Sequence, residues 1–198
     1  GSQRSRATSV PSGRDEPTSN GGERCFAAGS VPAVDPAPHL GSARFDGARF
    51  DVVGIGNALV DVISHASDAF LEEHNLVKGW MDLIDTDRAV QLYDALGAAV
   101  EMSGGSAANT MCGVASFGGS AAYVGKVSDD ELGRVFGHDL LAVGVQFRPG
   151  DFDNPVPTGR CIIVVTPDAE RTMNTYLGAS SLLTIADVDD TAVASGKV

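Results

Sequence analysis

Cysteine is scarce in this 198-residue chain: Cys25, Cys112 and Cys161 form an odd, scattered set with no CxxC pair. Such spacing argues against a disulfide framework or a thiolate metal site, and a reduced cytoplasmic setting is the expectation. Positive charge is scarce where the hydrophobic pattern is regular. From Asp51 onward 8 Lys and Arg face 21 Asp and Glu, a net −13, and no basic stripe runs through them. An acidic domain of this kind argues against nucleic acid as a partner. No run of ~18 apolar residues occurs, so no membrane span is expected. No internal repeat is visible.

What is present divides near residue 50. Residues 1–49 hold five of the nine prolines, with much Ser, Gly and Ala and no sustained apolar period. A segment like this buries too little surface to offset chain entropy, and we expect a disordered leader. Arg4, Arg6 and Arg14 precede its first acid, Asp15, which loosely resembles a transit peptide. The chain starts at Gly1 without methionine, so a cloning scar or a truncated frame explains this end equally well.

Residues 50–198 read as one α/β domain. Phe50–Gly56 is a buried strand ending at a glycine turn, and Leu59–Ser64 a second strand rich in β-branched residues. Ser67 or Asp68 caps a short helix through Glu73. Trp80–Ile84 alternates as a strand. Thr86 caps a helix with apolar positions at Ala89, Leu92, Tyr93 and Leu96. A helix from Ala107 stops at Phe117-Gly118-Gly119, and Ala121–Val124 is the next strand. The acids of Ser128-Asp129-Asp130-Glu131 suit a helix start, with Leu132, Val135, Phe136, Leu140 and Val143 as its buried stripe. Cys161–Thr166 and Thr172–Leu177 are strands flanking a turn. Strands alternating with helices indicate βαβ units in a parallel sheet. The extra short strands (59–64, 80–84, 160–166, 172–177) suit a small second sheet over its carboxyl edge, where open α/β sheets bind ligands.

Chemistry concentrates at two stretches. In Gly104-Gly105-Ser106-Ala107-Ala108-Asn109, two glycines allow close backbone approach, Ser106 is a candidate N-cap, and Asn109 can both donate and accept. A helix start of this kind suits hydroxyl or phosphate oxygens, although a plain turn before a capped helix has the same residues. Gly54-Ile55-Gly56-Asn57-Ala58-Leu59-Val60-Asp61 imitates a dinucleotide fingerprint, but Leu59 stands where the third glycine belongs and a strand follows instead of a helix. Asp61 is an acid inside an apolar strand. It needs a protein partner, such as a backbone turn, or the hydroxyls of a ligand. Cys112 and Cys161 read as small core residues, and His65, His74 and His138 share no metal spacing.

In combination these residues resemble the ribokinase (pfkB) family of carbohydrate and nucleoside kinases. Gly56-Asn57 with Asp61, then Gly104-Gly105-Ser106 with Asn109, carry the likeness. Gly125, Asp129 and Gly133 add to it, with Thr158-Gly159, Arg171-Thr172-Met173 and Gly178-Ala179. Gly-Gly-Ser looks closer to adenosine kinases than to ribokinases, which carry Gly-Gly-Lys. The resemblance implies a doubly wound, mostly parallel sheet with a small β-sheet lid, truncated after its first half. It implies that Asp61 takes two vicinal hydroxyls, Asn57 and Asn109 fix others, and Gly104, Gly105 and Ser106 lie against the sugar. Leu59 and Leu83 would cover a base or sugar face, and Arg171 would neutralise the phosphoryl in transfer.

The resemblance also implies ATP and Mg²⁺ as cofactors, a small sugar or nucleoside as acceptor, and a monomer or a lid-mediated homodimer. Family members carry the general base and phosphate-holding glycines in a Gly-Ala-Gly-Asp turn, with an Asn-x-x-Glu element upstream for Mg²⁺. No Gly-Ala-Gly-Asp occurs in residues 1–198, and no Asn-x-x-Glu in residues 50–198. The expectation is the acceptor half of a kinase, inactive alone, ending where the next sheet strand should begin. A non-catalytic sugar- or nucleoside-binding protein of the same fold is the alternative, and a dinucleotide-dependent oxidoreductase the remote one.

Overall fold

A computed structural model of the chain describes residues 49–149, 155–188 and 190–198. The expected leader, apart from Arg49, lies outside the described residues.

The continuous apolar run Ala121–Gly125 forms strand β5, buried at every position. Such a run belongs in the middle of a parallel sheet covered on both faces. β1 (Val52–Ile55) pairs with one side of it, Val52 opposite Ala121, and β6 (Gln146–Pro149) pairs with the other, both parallel. β6 has no period that sequence reading detects. On the free side of β1, Phe50 N–H donates to Ser195 O (2.9 Å), Lys197 N–H to Phe50 O (3.0 Å) and Val53 N–H to Val198 O (2.9 Å). Residues 195–198 therefore lie parallel to β1 and widen the sheet, at the place where the resemblance expects a next strand.

The second sheet is larger than expected. Its five strands run in the order β3 (Met81–Leu83), β8 (Arg171–Tyr176), β7 (Gly159–Val165), β2 (Leu59–His65) and β4 (Ala99–Gly104). β4, for which the sequence analysis has no strand, is an edge strand of this sheet. β2 alternates as its composition requires: Val60, Val62 and Ser64 face the core, while Leu59, Asp61 and Ile63 face the open side. Trp80 stays outside β3, and all three residues of that edge strand are exposed.

Helices connect the sheets. α1 spans Asp68–Glu73, α2 Thr86–Ala95, α3 Ser106–Ser116, α4 Glu131–Ala142 and α5 Asp190–Ala194. Two caps shift by one residue. Asp85, not Thr86, caps α2 by accepting from Arg88 N–H at 2.8 Å. Gly105 (φ 88°), not Ser106, is the N-cap of α3, and no side chain caps that helix. Ser106 is already helical, so its hydroxyl is not placed to hold the first-turn amides. In α4, Phe136 and Leu140 are fully buried and Leu132 and Val135 partly so, but Val143 is 48% exposed because Gly144 has already turned the chain away. Tyr123, Phe136 and Phe147 join β5, α4 and β6 through ring contacts of 5.1–6.0 Å.

Candidate functional site

The Asp61 carboxylate sits on the open face of the five-stranded sheet with no hydrogen bond or ion pair to any described side chain or backbone group. Burial alone pushes its carboxyl pKa up. The carboxylate lies directly over Gly104. A Cβ there would meet both Asp61 oxygens at 2.5 Å, which explains why this position must lack one. Gly105 turns the chain at positive φ into α3, and a Cβ on it would sit 2.8 Å from the Asn57 carbonyl. The two glycine stretches found in the sequence thus pack against each other, with Asp61 at the junction.

Registered neighbours on adjacent strands share a face, and one row crosses the whole sheet: Leu83, Thr175, Cys161, Asp61, Met102. Leu83 is on the same face as Asp61, three strand spacings or about 14 Å away. Leu59 is two residues before Asp61 on that face, flanked in register by Gly104 and Gly159. Asn57, Ser106 and Asn109 are exposed around the Gly105 turn. Arg171 shares the face parity of Thr175 but stands four residues, about 13 Å, further along β8 at the outer end of the sheet. Arg171, like Leu83, is therefore not in contact with Asp61.

Cys161, read from the sequence as a small core residue, is buried, and it lies with Thr175, which that reading did not single out, between Leu83 and Asp61; the Thr175 hydroxyl donates to Cys161 Sγ at 3.3 Å. Burial holds the Cys161 thiol pKa up, a core-like property despite its place in the row. Where the row ends, a cleft of about 390 Å³ opens between Leu83, Ile84, Thr175, Tyr176, Leu177 and Leu182.

The acid of the Gly125–Gly133 motif is also reassigned. Asp129 is exposed and pairs with Arg134 at 2.8 Å. Asp130 does the structural work: its carboxylate accepts from Gly133 N–H (2.8 Å), Thr158 N–H (2.8 Å) and Thr158 Oγ1 (2.6 Å). Lys126, just beyond β5, forms a buried 2.8 Å ion pair with Asp187. Among the described residues no group of His, Cys, Asp and Glu can hold a metal ion. No described helix is long and apolar enough to cross a membrane.

The model of the pfkB family of carbohydrate kinases matches residues 75–198. The chain belongs to this family. Among solved structures, an adenosine kinase from Sinorhizobium meliloti is 54% identical with a TM-score of 0.69, covering 76% of this chain and 46% of its own. A probable sugar kinase from Rhizobium etli CFN 42 is 49% identical at the same TM-score and coverage. Fructokinase-2 of Solanum lycopersicum is 33% identical over 120 residues, 60% of this chain and 36% of that protein. The pfkB chain therefore spans between about a third and a half of the length of these relatives. The ribokinase-like architecture expected from the motifs is the one that its solved relatives share.

Proposed function

We propose that this pfkB chain supplies the acceptor-binding part of an ATP-dependent phosphotransferase acting on a hydroxyl of a nucleoside or sugar. The observation that carries this reading is Asp61. A half-buried carboxylate without a protein partner is unfavourable unless a ligand satisfies it. Two vicinal hydroxyls donating to its two oxygens would do so, in charge-assisted bonds stronger than neutral ones. Asn57 and Asn109 would hold further hydroxyls, the amides beside Gly104 and Gly105 would rest against the sugar, and the Ser106 hydroxyl would stay at its rim.

The length of the row favours a nucleoside over a single sugar. From Asp61 past Cys161 and Thr175 to Leu83 there is room for a base beyond a ribose, and Leu59 and Leu83 present the apolar surface that a base face needs. Arg171 would have to move inward on lid closure to meet a transferring phosphoryl; charge neutralisation there acts mainly in the transition state. ATP would supply the γ-phosphoryl. Mg²⁺ is assigned to no residue of this chain, since the described residues offer no ligand set for it, and we derive no step through it.

Titration calorimetry of the chain with adenosine, fructose, ribose and 2-keto-3-deoxygluconate tests the reading. The expected result is measurable binding of adenosine, lost in Asp61→Ala, without ATP turnover by the chain alone. Binding of none of the four would sink it. Turnover dependent on adenosine would overturn the assignment of the chain to the acceptor half alone.

A further inference from the structure

Helix α4 grips the second sheet at two points. Its N-cap carboxylate, Asp130, accepts from Thr158 N–H at 2.8 Å, and Asp139, nine residues on, accepts from Ser103 N–H at 2.8 Å. Nine helical residues span about 13 Å. Each of these bonds ends on the residue immediately before a glycine: Thr158 before Gly159, and Ser103 before Gly104. In register, both glycines flank the same residue, Leu59.

Both glycines are also cramped against the open-face residues of β2. A Cβ on Gly104 would strike the Asp61 carboxylate, and one on Gly159 would lie 2.6 Å from Leu59 Cδ2 and run into the Leu177 carbonyl. A shift of either glycine must therefore displace Asp61 or Leu59. The helix that fixes both glycines is itself fixed, because Phe136, between the two carboxylates, and Leu140, directly after the second, bury completely in the core.

We propose that α4 is a brace whose Asp139 and Asp130 are positioning residues: they set the spacing of Gly104 and Gly159, and through them hold Asp61 and Leu59 for the acceptor. This rests on the acceptor reading of Asp61. Asp139 is the cleaner of the two. It lies in the body of α4 and caps nothing there, whereas Asp130 also holds the first turn of the helix through Gly133. Ser103 belongs to edge strand β4, so its outward amide has no further strand to pair with, and the carboxylate takes that place.

The test compares the 198-residue chain with Asp139→Ala and Asp139→Asn, reading amide hydrogen exchange at Gly104 and Gly105, adenosine affinity and Tm. Asn retains a carbonyl oxygen that can accept from Ser103. Asp139→Ala is expected to speed exchange at both glycines and to weaken adenosine binding about tenfold, the scale of one hydrogen bond. Its Tm should fall by only a few degrees. Asp139→Asn should restore exchange and affinity to within about threefold of the parent. Unchanged exchange and affinity in Asp139→Ala would overturn the brace, as would an Asn variant as impaired as the Ala one. If the parent chain binds no adenosine, the acceptor reading fails, and glycine exchange alone then decides for or against the brace.

Discussion

The Asp61 carboxylate occupies the volume that a side chain on Gly104 would need. Gly104→Ala therefore has to push Asp61 aside or bend β4 away from β2. Overpacking of this kind costs about 1–3 kcal/mol. We expect a lower Tm together with loss of adenosine affinity in calorimetry. An alanine variant with parental Tm and affinity would show that the two residues are not in steric contact.

Removing the charge of Asp61 should act in the opposite direction on stability. Its folded pKa is raised by burial, so the folded state prefers the protonated form, and the ionised carboxylate weakens folding at neutral pH. That penalty fades as the pH falls through the raised folded value. Asp61→Asn is predicted to raise Tm at pH 7 while abolishing acceptor binding. The gain should shrink toward pH 4, in thermal unfolding followed across that range. A lower Tm at pH 7 would refute the argument.

Tyr123 is fully buried, and its hydroxyl has no hydrogen-bond partner among the described residues. Burial of the unmatched hydroxyl costs roughly 1–3 kcal/mol, whereas the ring itself packs well. Tyr123→Phe is predicted to be neutral or stabilising in urea unfolding. A loss above about 1 kcal/mol would mean that the hydroxyl has a partner in solution.

Asp168 lies between Lys78 and Thr166, whose hydrogen bonds hold its carboxyl pKa at about 2. A depressed carboxylate contributes stability that is present above the ordinary value near 3.8 and is lost as the pH falls toward 2. The site is open to solvent, so the contribution is small and sensitive to salt. Asp168→Asn is expected to flatten the acid limb of the stability curve between pH 4 and 2. An unchanged limb would place the acid sensitivity elsewhere, for instance at Asp51, which Lys197 and Ser120 also depress.

Lys126 and Asp187 pair at 2.8 Å with their side chains only 11% and 6% exposed. Breaking a buried pair from one side is strongly destabilising, by about 3–5 kcal/mol, because the partner charge stays buried. Lys126→Met should fall in that range by chemical denaturation. The Lys126→Met/Asp187→Leu double variant should recover most of the loss. A single variant as stable as the parent would rule the pair out as a fastener of the segment after β8.

Where a local pattern carries a physical signature, the chain was legible. β2 reads from Val60, Val62 and Ser64 alternating with Leu59, Asp61 and Ile63, and β5 from its unbroken apolar run. That Asp61 and the Gly104 turn meet was implied by the family resemblance, which gives both to one acceptor site. Failures arose where neighbours compete for one role. Asp129 and Asp130 are adjacent carboxylates, and only the direction of the chain entering α4 decides which one caps it. Ser106 lost the N-cap because Gly105 adopts a positive φ that starts the helix one residue earlier. Cys161 and Thr175 join Asp61 through strand register, a relation between segments more than a hundred residues apart in Thr175's case, and no local pattern encodes it. β6, four residues with one buried side chain, has too little pattern to detect.

The parallel pairing of Leu59 with Gly159 spans 100 residues of chain. Contacts of such sequence separation form late, since a large loop must close before they are rewarded. β2 leaves the ribosome long before β7 exists, with β4 the one strand that pairs with it available in the interval. Its open-face residues, Asp61 among them, reach their final surroundings only when residues 159–176 arrive. In folding order the five-stranded sheet thus matures late, and an interrupted or slowed synthesis would leave β2 paired on one side only.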